Sequence, residues 1–509
     1  MPGVVTKRFR FHNADQFREA FGEASPTRMY AFFGRIEAFP NDNSPPTPVD
    51  SVKETDFEAW RNMIHMKRIA ASDVTFGVPR YNWTSGTAYH EYQSTDPDLF
   101  ANTFFVLDEN TYNVYKCLFN NNGGTSTVRP SGTTTTNIKT SDVYIWKYMY
   151  TIDSADVTKF VTSTHIPVSN NSTVQAAAVN GAIEVVDVIA GGTGYRANTG
   201  SFSSVANSTV MNLAGGASST DGHYTNSTMY ISSGTGVGQL RDIIAFTGAT
   251  RTATVNTAFD PAPTTGSTYI IGPKITILGD GNQEALAYAN TVAGGAIVNI
   301  EVTATGNNYS FANVAITSNG GSGGAAIAYV APEGGHGSHP QRELGGYNVI
   351  LSAQLSGNVS NTFVTNNDFR VIGIVNNPIE RASNTVATTT QYDQTTKLVL
   401  TSVSGDFTSD EIVVSNRNAT GRVVRFANSN ASGTAGTLTL SNLFVNANGN
   451  SFSVADTIEG NSSSVTATIT SVTDTPIVPY TGEIIYRENR SPVSRAETQT
   501  EDIKLVVKF

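Results

Sequence analysis

DFRVIGIVNN, residues 368–377, runs through Val371, Ile372, Ile374 and Val375 and stops at two asparagines. β-branched residues dominate the run, turn formers close it, and it is too short for an independent helix, so it reads as a strand. The same grammar recurs in NVYKCL from Asn113, SDVYIWKYMYTI from Ser141 and DIKLVVKF from Asp502. A chain that repeats this pattern over most of its length is expected to be mainly β.

Helical signals concentrate near the start. In NADQFREAFG, Asn13 reads as a cap, Phe17 and Phe21 fall four apart on one face, and Gly22 suits the stop. In TDFEAWRNMIHM, Thr55 and Glu58 have capping-box spacing, and Phe57, Trp60 and Ile64 form one apolar stripe. Two short helices are expected, not a bundle.

Composition narrows the function classes. The 509 residues carry a formal charge of −10, so a grip on phosphate backbones through clustered Lys and Arg is not expected. Charged residues make up 15% of the chain, against about 25% in average globular proteins. Ser, Thr, Asn and Gly replace them, as in β-rich extracellular or virion proteins. Cys117 is the single cysteine, which excludes an intrachain disulfide and fits synthesis in a reducing compartment. The opening MPGVVTKRFRFHNADQF lacks the apolar core of a secretory signal, and no apolar run reaches the ~18 residues of a membrane span. Neither nucleic acid nor membrane is an expected partner.

From about residue 170 to 330 the sequence becomes glycine-rich and aromatic-poor, and the shift recurs from about 385 to 475. Two β insertions in one core are the expectation. The first contains an echo. GAIEVVDVIAGGTGY from Gly181 and GAIVNIEVTATGNNY from Gly295 share Gly181/Gly295, Ala182/Ala296, Ile183/Ile297, Val188/Val302, Ala190/Ala304, Gly192/Gly306 and Tyr195/Tyr309 at one constant offset. Between the copies, strands separated by glycine turns suggest a small sandwich or barrel. In the second insertion Leu398, Leu400 and Val403 recur as Leu438, Leu440 and Leu443, while Phe407 and Ile412 recur with slippage as Phe452 and Ile458. Repeated hairpin units follow from this.

The chemical candidates are few. APEGGHGSHPQRELGGY, residues 331–347, sets His336 and His339 among glycines, with Glu333, Glu343 and Arg342 nearby. The spacing admits zinc ligands, but Gly334, Gly335, Gly337 and Pro340 argue for an irregular loop where a metal needs fixed geometry. The plainer reading is a glycine turn whose His and Arg side chains bond to backbone or to another subunit. GTGVGQ at Gly234 lacks the Lys-Ser/Thr ending of a phosphate loop and reads as a turn. DGNQE at Asp280 lacks the ligand spacing of a calcium loop. No G-x-S-x-G elbow occurs, and Cys117 sits in a strand-like run where a thiol is packing rather than nucleophile. Carboxylate pairs for glycoside cleavage converge only in space, so sequence leaves them open. No catalytic residue, cofactor or metal is expected.

The last stretch, TGEIIYRENRSPVSRAETQTEDIKLVVKF, carries the most specific signal. Gly482, Glu483, Ile485, Tyr486, Glu488, Asn489, Arg490 and Pro492, followed by Gln499, Thr500, Glu501, Ile503 and Phe509, resemble the C-terminus of the gene-product-eight baseplate wedge subunits of T-even-type contractile-tailed bacteriophages. FFGRIEAF at Phe32, PVDSVKETDFEAW at Pro48, VPRYNW at Val78, VYKCL at Val114, YIWKYMYTI at Tyr144 and DFRVIGIVNNPIE at Asp368 agree in order. The resemblance covers roughly residues 28–170, 330–385 and 476–509, and omits both insertions.

The resemblance implies a β-sandwich core with helix-bearing excursions; with the two composition shifts added, the expected fold is mainly β, a β-sandwich core with a few short helices and two inserted β-rich modules. The expected division is 1–170 for the first part of the core and 171–330 for the repeat-bearing insertion. Residues 331–384 are then the second part of the core, 385–475 the second insertion and 476–509 the closing strands. It further implies a non-enzymatic virion protein, made in the bacterial cytoplasm, that dimerises within each wedge. Its partners would be other wedge subunits, joined during assembly and sheath contraction, and the surface added by the insertions would hold tail fibres or a neighbouring wedge.

Among matched positions, Trp60 is expected to anchor a helix to the sheet. Arg80 and Trp83 read as an interface pair or as a core or cation–π contact. Glu488, Asn489 and Arg490 read as a polar knot after a strand, fixing a turn or docking a neighbour, and Tyr486 joins them as an interface candidate. With His336, His339 and Arg342 these are the candidate subunit contacts. The competing reading is a receptor-binding or glycan-cleaving tail protein. Against it, residues 171–330 contain no Trp and few aromatics for a sugar platform.

Overall fold

The computed structural model describes residues 4–25, 27–51, 54–281, 285–291, 294–317, 320–357, 359, 362–444 and 451–509, with backbone alone at 54, 55, 290 and 291. The described chain is mainly β. Its contacts divide it into two compact units: Met1–Gly77, Ala155–Pro167 and Tyr347–Phe509 form one, Val78–Ser154 and Val168–Gly346 the other. Residues 78–154 thus go with the first insertion instead of with the core assigned to 1–170. The second insertion goes with the core.

The first unit holds a β-sandwich. One sheet orders its strands Gln391–Asp393, Met63–Arg68, Met29–Gly34, Asp368–Asn376 and Glu483–Ser494; the other orders Thr500–Lys508, Asn348–Ser356, Val74–Pro79 and His165–Pro167. DFRVIGIVN lies inside the first sheet, with Phe32 opposite Gly373 on one side and Ile372 opposite Glu488 on the other. Alternation sorts its neighbour strand. Ala31 and Phe33 face the second sheet's Val349, Leu351, Ile503 and Leu505, while Tyr30 and Phe32 join Trp60, Met66, Val371 and Val375 on the opposite face. Both faces are covered, so all six residues of MYAFFG are buried. Each such aromatic contributes about 1.5–3 kcal/mol on burial.

The helices start elsewhere than the sequence suggests. The first spans Lys7–Glu19, capped by Thr6, whose hydroxyl accepts from the Phe9 N–H at 3.3 Å. Asn13 is inside it. The expected Phe17–Phe21 contact is present, edge to face at 5.4 Å between ring centres. The second helix covers Glu54–Asn62, and the chain turns directly into a strand at Met63, so Ile64 belongs to the sheet and not to the helical stripe. The expected Thr55 cap lies outside the described side chains.

The second insertion closes into a barrel of strands in the order Thr396–Thr401, Ala435–Phe444, Thr420–Asn428, Ile412–Ser415, Thr457–Gly460 and Thr466–Thr473. The echoed leucines meet across it, with Leu398 opposite Leu438. Its start is later than residue 385, because Gln391–Asp393 pairs with Met63–Arg68 in the sandwich.

In the second unit, Phe105–Asp108, Asn113–Phe119, Ile145–Thr151 and Ile138–Lys139 form an antiparallel sheet. The inserted segment forms a larger sheet from Ile183 to Val330. GTGVGQ is a turn between the paired strands Ser227–Ser233 and Leu240–Thr247, with Gly234, Gly236 and Gly238 all at positive φ.

Candidate functional site

Two places gather the sequence-marked residues: the glycine loop before residue 347 and the C-terminal strand pair. The loop is less irregular than its glycines imply. Pro340 opens a short helix, Pro340–Leu344, which Gly345 ends in the left-handed conformation at φ 79°. This places Glu343 inside, where it is 2% exposed, while His339 and Arg342 stay at the surface.

Glu343 organises the loop. Its carboxylate accepts the Gly337 N–H at 2.9 Å from either oxygen, and its Oε1 accepts the His339 N–H at 2.9 Å. Its Oε2 is in contact with Nζ of Lys116 from the strand Asn113–Phe119, a lysine with no exposed surface. His336, also buried, holds Nδ1 2.8 Å from the same nitrogen. The Tyr92 ring lies 4.0 Å from Nζ. The two histidines therefore part company. An ammonium occupies the place beside His336 where a metal ligand set would converge. Among the described residues no group of three His, Cys, Asp or Glu side chains is arranged to hold a metal ion.

Electrostatics in this pocket follow burial. Loss of water pushes the Lys116 ammonium below the usual lysine range, and the facing Glu343 carboxylate only partly offsets it. Burial likewise drives His336 well below the usual imidazole range, with Lys116 and Lys147 adding repulsion. Lys147 is itself buried, donating to the Thr135 carbonyl at 2.9 Å and lying 3.9 Å from Glu184. Cys117, adjacent in sequence, has its thiol pushed up by burial, consistent with packing.

Arg80 and Trp83 lie in one loop. Arg80 pairs with Glu109 at 2.8 Å and bonds Asn82 at 2.9 Å. The indole N–H of Trp83 donates to Ser126 at 3.1 Å, and the cation over its ring is Arg129, at 5.0 Å. Trp60 is buried, 6.5 Å from Tyr480 between ring centres. Asp280, from DGNQE, accepts from the Ser310 N–H and hydroxyl; Asn282–Glu284 lie outside the described residues.

The C-terminal cluster is not a knot after a strand. Tyr486, Glu488, Asn489 and Arg490 all lie within the twelve-residue strand Glu483–Ser494. Tyr486, Glu488 and Arg490 alternate onto one face, where the tyrosine hydroxyl donates to Glu488 at 2.7 Å and Arg490 pairs with the same carboxylate. Arg487 and Asn489 face the other way, toward Glu58 at 2.9 Å and the Pro46 carbonyl at 2.8 Å. The strand crosses at Arg495 into Thr500–Lys508, an edge strand of the other sheet. Arg495 is wholly buried, lies 3.2 Å from Glu501 and stacks 4.2 Å from Phe363.

Sequence reasoning missed Lys116, Glu343 as a buried anion, and Arg495. Comparison with protein-family models and with curated proteins finds no match to this chain.

Proposed function

We propose that the chain is a structural subunit of a contractile phage tail baseplate wedge, joining neighbouring wedge proteins and carrying out no catalysis. The observation that supports this best is the placement of the C-terminal motif. Its residues build the edge strand Glu483–Ser494, whose inner side takes the ladder of Asp368–Asn376 and whose outer side has no strand partner among the described residues. An open strand edge is a template for a second chain. The internal pairs along it hold the strand ready, so little ordering entropy remains to oppose docking.

Light scattering on the purified chain, alone and mixed with the other baseplate proteins of the same virus, tests this. A dimer that enters a larger complex is expected, and Ile485→Lys, which places a charge at a position 39% exposed on the edge, should weaken that entry without unfolding the chain. A stable trimer indifferent to those proteins overturns the reading and favours a receptor-binding tail protein.

A further inference from the structure

Lys116 and Glu343 are separated by 227 positions in sequence, yet Nζ of the lysine is in contact with Oε2 of the carboxylate in a space closed to water. Three arrangements around them exceed what an ion pair needs. The oxygen not facing the lysine, Oε1, receives the His339 N–H at 2.9 Å and shares the Gly337 N–H with Oε2, at 2.9 Å from each. Such donors stabilise charge that develops on a carbonyl oxygen during addition. On the other side of Nζ, at 2.8 Å, stands Nδ1 of His336, an imidazole that burial keeps neutral and so able to accept a proton. Finally, the shared enclosure fixes nucleophile and carbonyl carbon as an intramolecular pair, which removes most of the entropic barrier to their reaction.

We propose that Lys116 and Glu343 join in an intramolecular amide bond. The ammonium first passes one proton to Oε2, leaving an amine and a carboxylic acid, so that no net charge is carried into the addition. The Nζ lone pair then attacks Cδ, the C–Oε1 double bond opens, and the resulting oxyanion rests on the N–H groups of Gly337 and His339. His336 Nδ1 takes a proton from the nitrogen and delivers it to the Oε2 hydroxyl. The Cδ–Oε2 bond breaks and water leaves as the carbonyl reforms. One ammonium and one carboxylate become one amide and one water, with no oxidant or cofactor required. The bond fastens the chain returning from the inserted module to the strand that precedes it, so pulling force bypasses the intervening sheets.

Mass spectrometry of the full chain under denaturing conditions decides it. The expected mass is one water below that of the sequence, and digestion should yield a branched peptide joining the segments that hold Lys116 and Glu343. The Lys116→Arg variant should show its full sequence mass. Linear peptides alone, at full mass, overturn the proposal, and this wild-type measurement does not depend on any variant folding. In freshly synthesised protein, His336→Ala should gain the lighter species at least tenfold more slowly, in keeping with the contribution of general acid–base catalysis. An unchanged rate removes the histidine from the step.

Discussion

The N–H of Tyr309 donates to the carbonyl of Gly181 at 3.2 Å, and the N–H of Tyr195 returns the arrangement to Gly295 at 3.0 Å. Each copy of the internal repeat therefore closes on the opening glycine of the other. The tyrosine hydroxyls repeat the symmetry, accepting the N–H of Ala285 from Tyr309's side and of Gly324 from Tyr195's side. A repeat that satisfies its own backbone in this reciprocal way is a single folding unit, and its glycines are the positions where the two copies come closest.

Gly181 has φ 61°, and a Cβ there would fall 2.4 Å from the backbone of Tyr309. Gly181→Ala is expected to destabilise the module by roughly 2–4 kcal/mol, combining left-handed strain with a clash that no side chain can relieve. Gly295→Ala should behave alike, at φ 73° and 2.6 Å from Tyr195. Gly216→Ala, with open space around it, should stay within about 0.5 kcal/mol. Hydrogen exchange across Ile183–Thr193 in the three variants measures this; equal protection in all three would contradict the reciprocal closure.

Trp60 joins the helix Glu54–Asn62 to the outer face of the first sheet, among Tyr30, Phe32, Met66 and Tyr392. Trp60→Ala should cost the first unit about 3–5 kcal/mol, the usual range for emptying a large aromatic site. Phe57, on the same helix but 43% exposed, should cost roughly 1 kcal/mol or less when changed to Ala. Urea unfolding of both variants tests the ordering, and similar losses would argue that the helix does not rest on the tryptophan.

His65 offers a pH dependence. Its Nδ1–H donates to the Thr362 carbonyl at 3.0 Å, its ring stacks on Phe363 at 4.5 Å, and Nε2 has no partner among the described residues. Burial, with repulsion from Arg495 and Lys67, lowers its pKa to about 3. The unfolded value is about 6.5, so between those limits the unfolded chain binds a proton that the native chain refuses. Stability is then full above pH 6.5 and falls as pH drops toward 3, by up to about 1.4 kcal/mol per pH unit. Buried His336 has the same sign and adds to the background. His65→Gln should flatten the urea midpoint between pH 6.5 and 4 by one proton's share; an unaltered slope would clear His65 of the acid response.

The strands were legible because β-branched runs ended by turn formers announce themselves, and the repeat because its glycines and tyrosines keep one offset. The helix starts were ambiguous for a physical reason. Thr6 and Asn13 are both good caps, and only the packing of Phe11 and Ala14, both buried, selects the earlier one. FEAWRNMIHM satisfies a helical and an alternating period together, so the switch at Met63 depends on the pairing of Phe33 with His65 across the sheet. Lys116 was hidden because a lysine in NVYKCLF reads as the solvent side of a half-buried strand, whereas all seven residues are buried. Its counter-charge lies too far along the chain to be seen. Arg80 and Trp83 meet Glu109 and Arg129, partners fixed by a fold that no local spacing encodes.

The barrel gives the sharpest test of how the first unit is divided. Lys397 lies opposite Thr473, so the chain enters and leaves on neighbouring strands and a short glycine linker can replace residues 396–473. Inside, Leu398, Leu400, Val413, Val423, Leu438, Leu440, Ile458 and Ile469 form a core of their own. Among the described residues its ties to the sandwich unit include Val424, packed in the sandwich cluster, the Asn367 amide donating to the Val424 carbonyl at 2.6 Å, Arg422 paired with Glu37 at 2.8 Å, and the Arg61 guanidinium 4.1 Å over the Phe444 ring. Residues 394–476 alone should therefore unfold cooperatively in urea. The chain lacking 396–473 should keep its sandwich and lose about 2–5 kcal/mol, the burial of one valine-sized side chain together with one cation–π contact. A wider cut, 385–475, also removes the strand Gln391–Asp393 with the buried Tyr392, and should destabilise the sandwich much further. If the narrow cut aggregates as readily as the wide one, the two cores fold as one and the barrel is not a separable insertion.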